Sequence, residues 1–135
     1  MNFTERHLQE ARKIIYAIDV STIRMVLIRV QPRESGGRLF FLGIGGSAGN
    51  WGNAVNDFQK IVGIEAYAPT DNISELTART NDECWETTFV EWSKVSRLKP
   101  SDALFIFSVG GGNFENNISP NLVRAVRHAE EIGAK

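Results

Sequence analysis

Apolar residues recur at helical spacing over the first part of the chain. The stripe formed by Leu8, Ala11 and Ile15 predicts a helix over residues 3–16, and a similar stripe predicts a second helix over residues 21–31. We expect Ser21 to cap the second helix and the proline that follows it to end it. Two leading helices therefore precede the first predicted strand.

Three later runs are apolar and short enough to be strands. They are "RLFFLGI" at residues 38–44, "IEAYAP" at residues 64–69 and "DALFIFSV" at residues 102–109. The first and third are apolar on both faces, which is typical of strands inside a parallel sheet. The middle run predicts a strand less strongly than the other two. All three are separated by segments long enough to hold a crossover helix.

The segments between the strands carry their own periodicity. A helical stripe starts at Trp51 and ends before Gly63, and the aromatic face of residues 85–95 predicts another helix. We expect residues 70–80 to be a loop with a short helical turn. The last helix should be capped by Ser119, with Pro120 at its first position. Strands that alternate with helices predict an α/β fold with a parallel sheet.

Composition narrows the class of protein without naming it. The chain has 135 residues, a net charge of −1 and one cysteine. That charge and the lack of a basic cluster argue against nucleic-acid binding. A single cysteine fits a reducing compartment, and neither a secretory signal nor a long apolar run is visible, so we expect a cytoplasmic protein without a membrane segment.

Two glycine-rich turns carry the candidate chemistry. "GIGGS" at residues 43–47 follows the first strand, and "SVGGGN" at residues 108–113 follows the third. The carboxyl ends of parallel strands lie at one edge of a sheet, where ligands bind. Glycines let the backbone turn sharply and let an anion approach the N–H groups. A purely structural turn explains the first motif about equally well, but the second motif favours a ligand.

These motifs, in this order, resemble the sugar isomerase (SIS) domains and most of all the phosphoheptose isomerases. "GIGGSAGNWGNAVNDF" resembles their first loop, "TDNISELTARTND" their central segment and "FSVGGGN" their second loop. The resemblance implies one doubly wound domain of flavodoxin-like strand order with helices on both faces. Residues 1–35 would be the leading helices and residues 36–135 an α/β core that lacks the last strands of the family.

The resemblance also implies which residues bind and react. Asp57 falls where the isomerases carry a catalytic acid on the helix after the first loop, and it shares a polar helix face with Asn53. The implied substrate-binding residues are Gly45, Gly46, Ser47, Asn53, Asp71, Ser74, Ser108, Gly110, Gly111 and Asn113. For Asn53 and Asp57, a merely solvated helix face is an equally good explanation.

One departure bears on metal binding. Asn53 stands where the isomerases carry a histidine, and the two histidines of this chain lie on other predicted helices. Zinc, which the family resemblance makes possible, is therefore not expected here, and no other cofactor is predicted.

Two functions of different classes remain open. The first is a sedoheptulose 7-phosphate isomerase-like enzyme that interconverts an aldose and a ketose by enediol proton transfer, in a homotetramer as in the family. The second is a non-catalytic module that senses a sugar phosphate or binds a protein such as a replication initiator. Asp57 favours the enzyme, whereas Asn53 favours the module.

Overall fold

The computed structural model describes residues 1–29 and 36–135. The chain forms two compact units, Met1–Val30 and Gln31–Lys135. The first unit holds helix α1 (Phe3–Ala17) and helix α2 (Val20–Arg29), so both predicted leading helices form. The proline expected to end the second helix lies outside the described residues.

Each leading helix begins at a side-chain cap. The Asn2 side chain accepts a hydrogen bond from the backbone N–H of Glu5, and the Glu5 carboxylate accepts one from the N–H of Asn2. This reciprocal pair satisfies two N–H groups that have no partner inside the helix. The cap expected at Ser21 is wrong, because the carboxylate of Asp19 accepts from the N–H and hydroxyl of Ser21 instead.

The second unit is built on a three-stranded parallel sheet. Strand β1 (Leu39–Gly43) lies in the middle, between β2 (Ala66–Tyr67) and β3 (Ala103–Phe107). Every residue of β1 is buried, as its continuous apolar run predicts. The parallel α/β class and the central place of the first strand are confirmed.

Helices cover both faces of this sheet. On one face, Phe40 and Leu42 of β1 belong to a buried cluster with Phe89 and Leu122 of two later helices. On the other face, Phe41 packs against Trp51, with ring centroids 5.1 Å apart. Successive side chains of a strand point to opposite faces, so one strand supplies both cores.

The helix predicted after the first glycine turn is divided into three segments. Helix α3 (Gly46–Gly49) is followed by α4 (Trp51–Asp57) and by a π-helical turn (Phe58–Val62). Gly63 ends the run at φ 72°, as predicted. The predicted stripe does not stay buried to its end, because a π-turn holds an extra residue and changes the direction of the side chains that follow. Ile61 is 75% exposed.

The central segment differs most from the prediction. Strand β2 spans only two residues, and a 3₁₀ turn (Pro69–Asp71) leads into helix α5 (Ile73–Asp82), where we expected mostly loop. The Asn72 side chain caps α5 by accepting from the N–H of Glu75. Arg79 then forms ion pairs with acidic side chains one turn away on each side. These contacts along the helix stabilise the segment.

Helices α6 (Thr88–Val95) and α7 (Pro120–Ile132) pack against β1 and β3. Phe89 and Trp92 of the predicted aromatic face are buried, but Trp85 and Val95 are exposed, because the helix begins after Trp85 and ends at Val95. Among the described residues, no helix has the length and apolar character needed to cross a membrane.

Helix α7 begins and ends where the sequence predicts. Pro120 occupies its first turn, and Gly133 ends it at φ 77°. Ser119 takes the cap position at φ 47°, but its side chain makes no capping hydrogen bond in the described part of the chain. Leu122 and Ala125 of this helix are buried, whereas Val126 is exposed.

Strand β3 is less enclosed than its apolar sequence predicts. Its middle residues are half-buried, and Phe107 is 44% exposed. On the side away from β1, the backbone of Lys135 donates to the carbonyl of Asp102 and accepts from the N–H of Leu104. This backbone pairing covers only the beginning of the strand.

A buried ion pair joins β1 to β3 at the edge opposite the glycine turns. The Asp102 carboxylate is fully buried and accepts from the backbone N–H and the guanidinium of Arg38, at 2.8 Å and 2.7 Å, and from the N–H of Lys99 at 3.1 Å. The hydrogen bond to Asp102 raises the pKa of Arg38. This pair fixes the start of both strands and hence the register with which they reach the opposite edge.

Candidate functional site

Both glycine turns start at neighbouring positions on the same edge of the sheet. Gly43, the last residue of β1, is the register partner of Phe107, the last residue of β3. Ile44 and Ser108 are therefore the first residues beyond two adjacent parallel strands. This arrangement matches the shared edge expected from the sequence.

The first turn presents backbone donors. Gly45 has φ 60° and ψ −125°, a conformation that residues with a Cβ avoid. Its carbonyl accepts from the N–H of Gly49 at 3.1 Å, which closes the short helix α3. The first N–H groups of a helix have no acceptor inside it, so those of Gly46 and Ser47 are left for another partner. The Ser47 side chain is half-buried beside them.

The second turn is closed by the side chain of its serine. The Ser108 hydroxyl oxygen accepts from the N–H of Gly111 at 3.1 Å, and Gly111 and Gly112 both have positive φ. A Cβ at Gly112 would lie 3.0 Å from a methyl carbon of Val123, so the turn packs directly on α7. Beside it, a cavity of about 320 Å³ is lined by residues of the turn, of β3 and of α7, including Ser108, Gly111 and Arg127.

The rest of this loop folds into a small bridge. The backbones of Asn113 and Ile118 exchange two hydrogen bonds of 2.8 Å, and the side-chain oxygen of Asn113 accepts from the N–H of Asn116. Arg124 and Arg127 of α7 lie over the ring of Phe114, at 5.0 Å and 5.1 Å. The predicted ligand residue Asn113 therefore uses its oxygen within the loop and has its amide nitrogen left to donate.

Trp51 lies at the root of the two turns. Its ring stacks on Phe107 with centroids 4.0 Å apart, and only 1% of the residue is exposed. A Cβ at Gly43 would overlap the indole nitrogen, so the absence of a side chain there gives Trp51 its place. From the sequence, this tryptophan was predicted only to start a helical stripe, with no role at the site assigned to it. A glycine at the end of an otherwise large-residue strand is the signal that could have indicated it.

Asn53 and Asp57 lie on the exposed face of α4. The Asp57 carboxylate accepts from the amide nitrogen of Asn56 at 3.2 Å. Asp57 lies six residues after Trp51, or about 9 Å further along the helix axis, and the buried face of α4 carries Trp51 and Val55. The roles of Asn53 and Asp57 stay predictions.

Asp71 and Ser74 follow β2, which lies on the other side of β1 from β3. The Asp71 carboxylate accepts from the N–H of Ala68 at 3.3 Å, across the 3₁₀ turn, and Asp71 lines a cavity of about 390 Å³ with Arg38 and Tyr67. Ser74 is exposed in the first turn of α5. The cavity beside Ser108 contains neither residue.

Metal binding was considered at Asn53, the position where the isomerases carry a histidine. In residues 1–29 and 36–135, no three His, Cys, Asp or Glu side chains lie close enough together to hold an ion. Asn53 supplies only an amide there. The absence of zinc therefore stays a prediction.

The fold has known counterparts. The phosphoheptose isomerase GmhA from Neisseria gonorrhoeae superposes with a TM-score of 0.74 and is 27% identical in sequence; the match covers 96% of this chain. A phosphoheptose isomerase from Francisella tularensis gives a TM-score of 0.80 over 98% of this chain, at 19% identity. The chain shares the fold of the phosphoheptose isomerases. The resemblance to sugar isomerase domains is thereby confirmed.

The chain matches only part of each of these proteins. It covers 64% of the Neisseria phosphoheptose isomerase and 69% of the Francisella one. The lincomycin biosynthesis protein LmbN of Streptomyces lincolnensis is 32% identical over 107 residues, which are 75% of this chain and 38% of LmbN. No protein-family model matches the sequence.

Proposed function

We propose that this chain binds a sugar phosphate between its two glycine turns. The observation that carries the proposal is the register of Gly43 with Phe107, because it starts both turns at one sheet edge. Backbone N–H groups of Gly46 and Ser47 and the hydroxyl of Ser108 are suited to phosphate oxygens, since glycine turns bind anions through converging amides. The likeness in fold to the phosphoheptose isomerases supports the same ligand class.

The proposed reaction is aldose–ketose isomerisation. A base removes a proton from the carbon beside the carbonyl, an enediol forms, and the proton returns to the neighbouring carbon. Asp57 is the proposed base. Because it lies about 9 Å along α4 from Trp51, the reacting carbons would have to extend away from a phosphate held at the turns. Residues 43–47 would then hold the phosphate, and α4 would supply the proton transfer. A homo-oligomer, as the resemblance implies, is part of this proposal.

Two observations favour a binding module without catalysis. Asn53 cannot replace a histidine as an acid or base, and the Asp57 carboxylate is exposed and paired with the Asn56 amide. In this second candidate function, the same turns hold a sugar phosphate as a signal. For both functions we propose that the chain binds no metal.

Calorimetry with sedoheptulose 7-phosphate tests the binding site. Ser47→Asp should abolish binding, because a carboxylate would repel the phosphate at short range. Ser101→Asp is the matched control, since Ser101 precedes β3 at the opposite edge and should leave binding unchanged. Equal binding by the wild type and Ser47→Asp would place the ligand elsewhere.

Exchange of the sugar's carbon-bound proton with deuterated water separates the two functions. Asp57→Asn should abolish the exchange while binding persists. Asp82→Asn is the control, because Asp82 likewise accepts from the amide of its preceding asparagine at a helix end. Binding by the wild type without any exchange would support the non-catalytic module.

A further inference from the structure

One buried polar atom at the candidate site has no partner. The indole nitrogen of Trp51 is buried, and among the described residues it makes no hydrogen bond. Most buried N–H groups in folded proteins are paired, and an unpaired one destabilises the fold. Burying the indole N–H without a partner therefore has a cost that packing alone does not explain.

The surrounding rings fix where this donor lies. Trp51 is stacked on Phe107 and also contacts Phe41 and Phe105, with centroid distances of 5.1 Å and 6.2 Å. Rings without any N–H already fill this face of the sheet. The hydrophobic contacts hold the indole in place, but they do not need its nitrogen.

The donor is adjacent to the first glycine turn. The indole nitrogen occupies the space where a Gly43 side chain would be, and Ser47 flanks the same space, with its Cβ 3.0 Å from a Cβ built on Gly43. Gly45 and Gly46 complete the turn. Both are exposed, and an added Cβ at either would meet nothing within 4 Å. The turn that follows Gly43 is thus glycine backbone with open space around it.

We propose that Trp51 positions the ligand by donating its indole N–H to an oxygen of the phosphate group held at the first turn. This inference rests on the proposed sugar-phosphate site and adds a side chain that the sequence did not assign to it. Binding through this donor requires a shift of the turn that uncovers the nitrogen. The phosphate then receives backbone donors from the turn and one rigid side-chain donor from beneath it.

Binding and NMR measurements on the full chain test this role. Trp51→Phe keeps a ring against Phe107 and removes only the N–H and part of the ring area. We expect it to bind sedoheptulose 7-phosphate and inorganic phosphate about 10- to 100-fold more weakly, the effect of losing one hydrogen bond to a charged group. Trp85→Phe is the matched control, because Trp85 is exposed and packs edge-on against Phe89 in the opposite core. It should bind like the wild type.

The indole proton resonance of the wild-type protein gives a second readout, which does not depend on the affinity of the variant. The spectrum of Trp51→Phe assigns the signal, and saturating sedoheptulose 7-phosphate should move it downfield in the wild-type protein. An unmoved indole signal with shifted amides of Gly46 and Ser47, or equal affinities of Trp51→Phe and wild type, would overturn the role of Trp51 and leave the phosphate site intact. Failure of the wild type to bind either probe would overturn both proposals.

Discussion

Replacing Gly43 with alanine tests the packing at the root of the site. Gly43 is buried at the end of β1. A methyl group there would overlap the Trp51 indole nitrogen and lie 3.0 Å from the Cβ and 3.1 Å from the carbonyl carbon of Ser47. The indole cannot retreat freely, because Phe107 stacks on it at 4.0 Å. The added methyl must therefore displace the tryptophan, the turn, or both.

The expected cost follows from overpacking. An extra methylene in a well-packed core lowers the free energy of unfolding by about 1–3 kcal/mol. Gly52→Ala provides a matched control, since it adds the same methyl group to an exposed helical position with nothing within 4 Å. In a helix interior, alanine in place of glycine raises the free energy of unfolding by about 0.4–1 kcal/mol. The two substitutions should thus act with opposite signs.

Chemical denaturation of the two variants and the wild type measures both effects. Near-ultraviolet circular dichroism should also change in Gly43→Ala, because the Trp51–Phe107 stack is disturbed, and should be retained in Gly52→Ala. If Gly43→Ala proved as stable as Gly52→Ala with an unchanged spectrum, the close contact between Gly43 and Trp51 would be refuted.

Two further predictions concern charged groups. Asp102→Asn should lower the free energy of unfolding by about 3 kcal/mol, since it leaves the Arg38 guanidinium without its buried counter-ion. The control Glu91→Gln removes a carboxylate from an exposed ion pair and should change the free energy of unfolding by less than about 1 kcal/mol. Equal effects of the two substitutions in denaturation experiments would contradict this prediction. Hydrogen bonds from Ser21 and from the next residue lower the pKa of Asp19 from 3.8 to about 2. The stabilisation that the ionised Asp19 carboxylate gives to the start of α2 is therefore present above about pH 4 and lost as the pH falls through 2. An NMR titration that gave Asp19 an ordinary pKa would contradict this prediction.

Long apolar runs and helix-ending residues were sufficient to predict the central strand and the ends of two helices. The run at residues 38–44 predicted a buried central strand because both of its faces are apolar, and β1 is buried throughout. Gly63 and Gly133 ended their helices because glycine adopts positive φ at little cost. Such signals are local and do not depend on contacts with distant segments.

The sequence did not predict features that depend on contacts between distant segments or on polar contacts within a helix. Helix α5 has few large apolar residues, and the Asn72 cap and the ion pairs of Arg79 contribute to its stability. The π-turn that exposes Ile61 leaves no trace in the hydrophobic pattern. At the site, the motifs located both turns but not Trp51, whose position depends on Phe107 from a strand far along the chain.

The all-parallel pairing of β1 with β3 has a kinetic consequence. Leu39 pairs with Ala103, and the contact between Arg38 and Asp102 likewise spans 64 positions, so no local hairpin can start this pair. The entropy cost of closing that long loop comes before the favourable contacts between the strands form, which makes the pairing slow. Substitutions at the β1–β3 seam should therefore slow refolding.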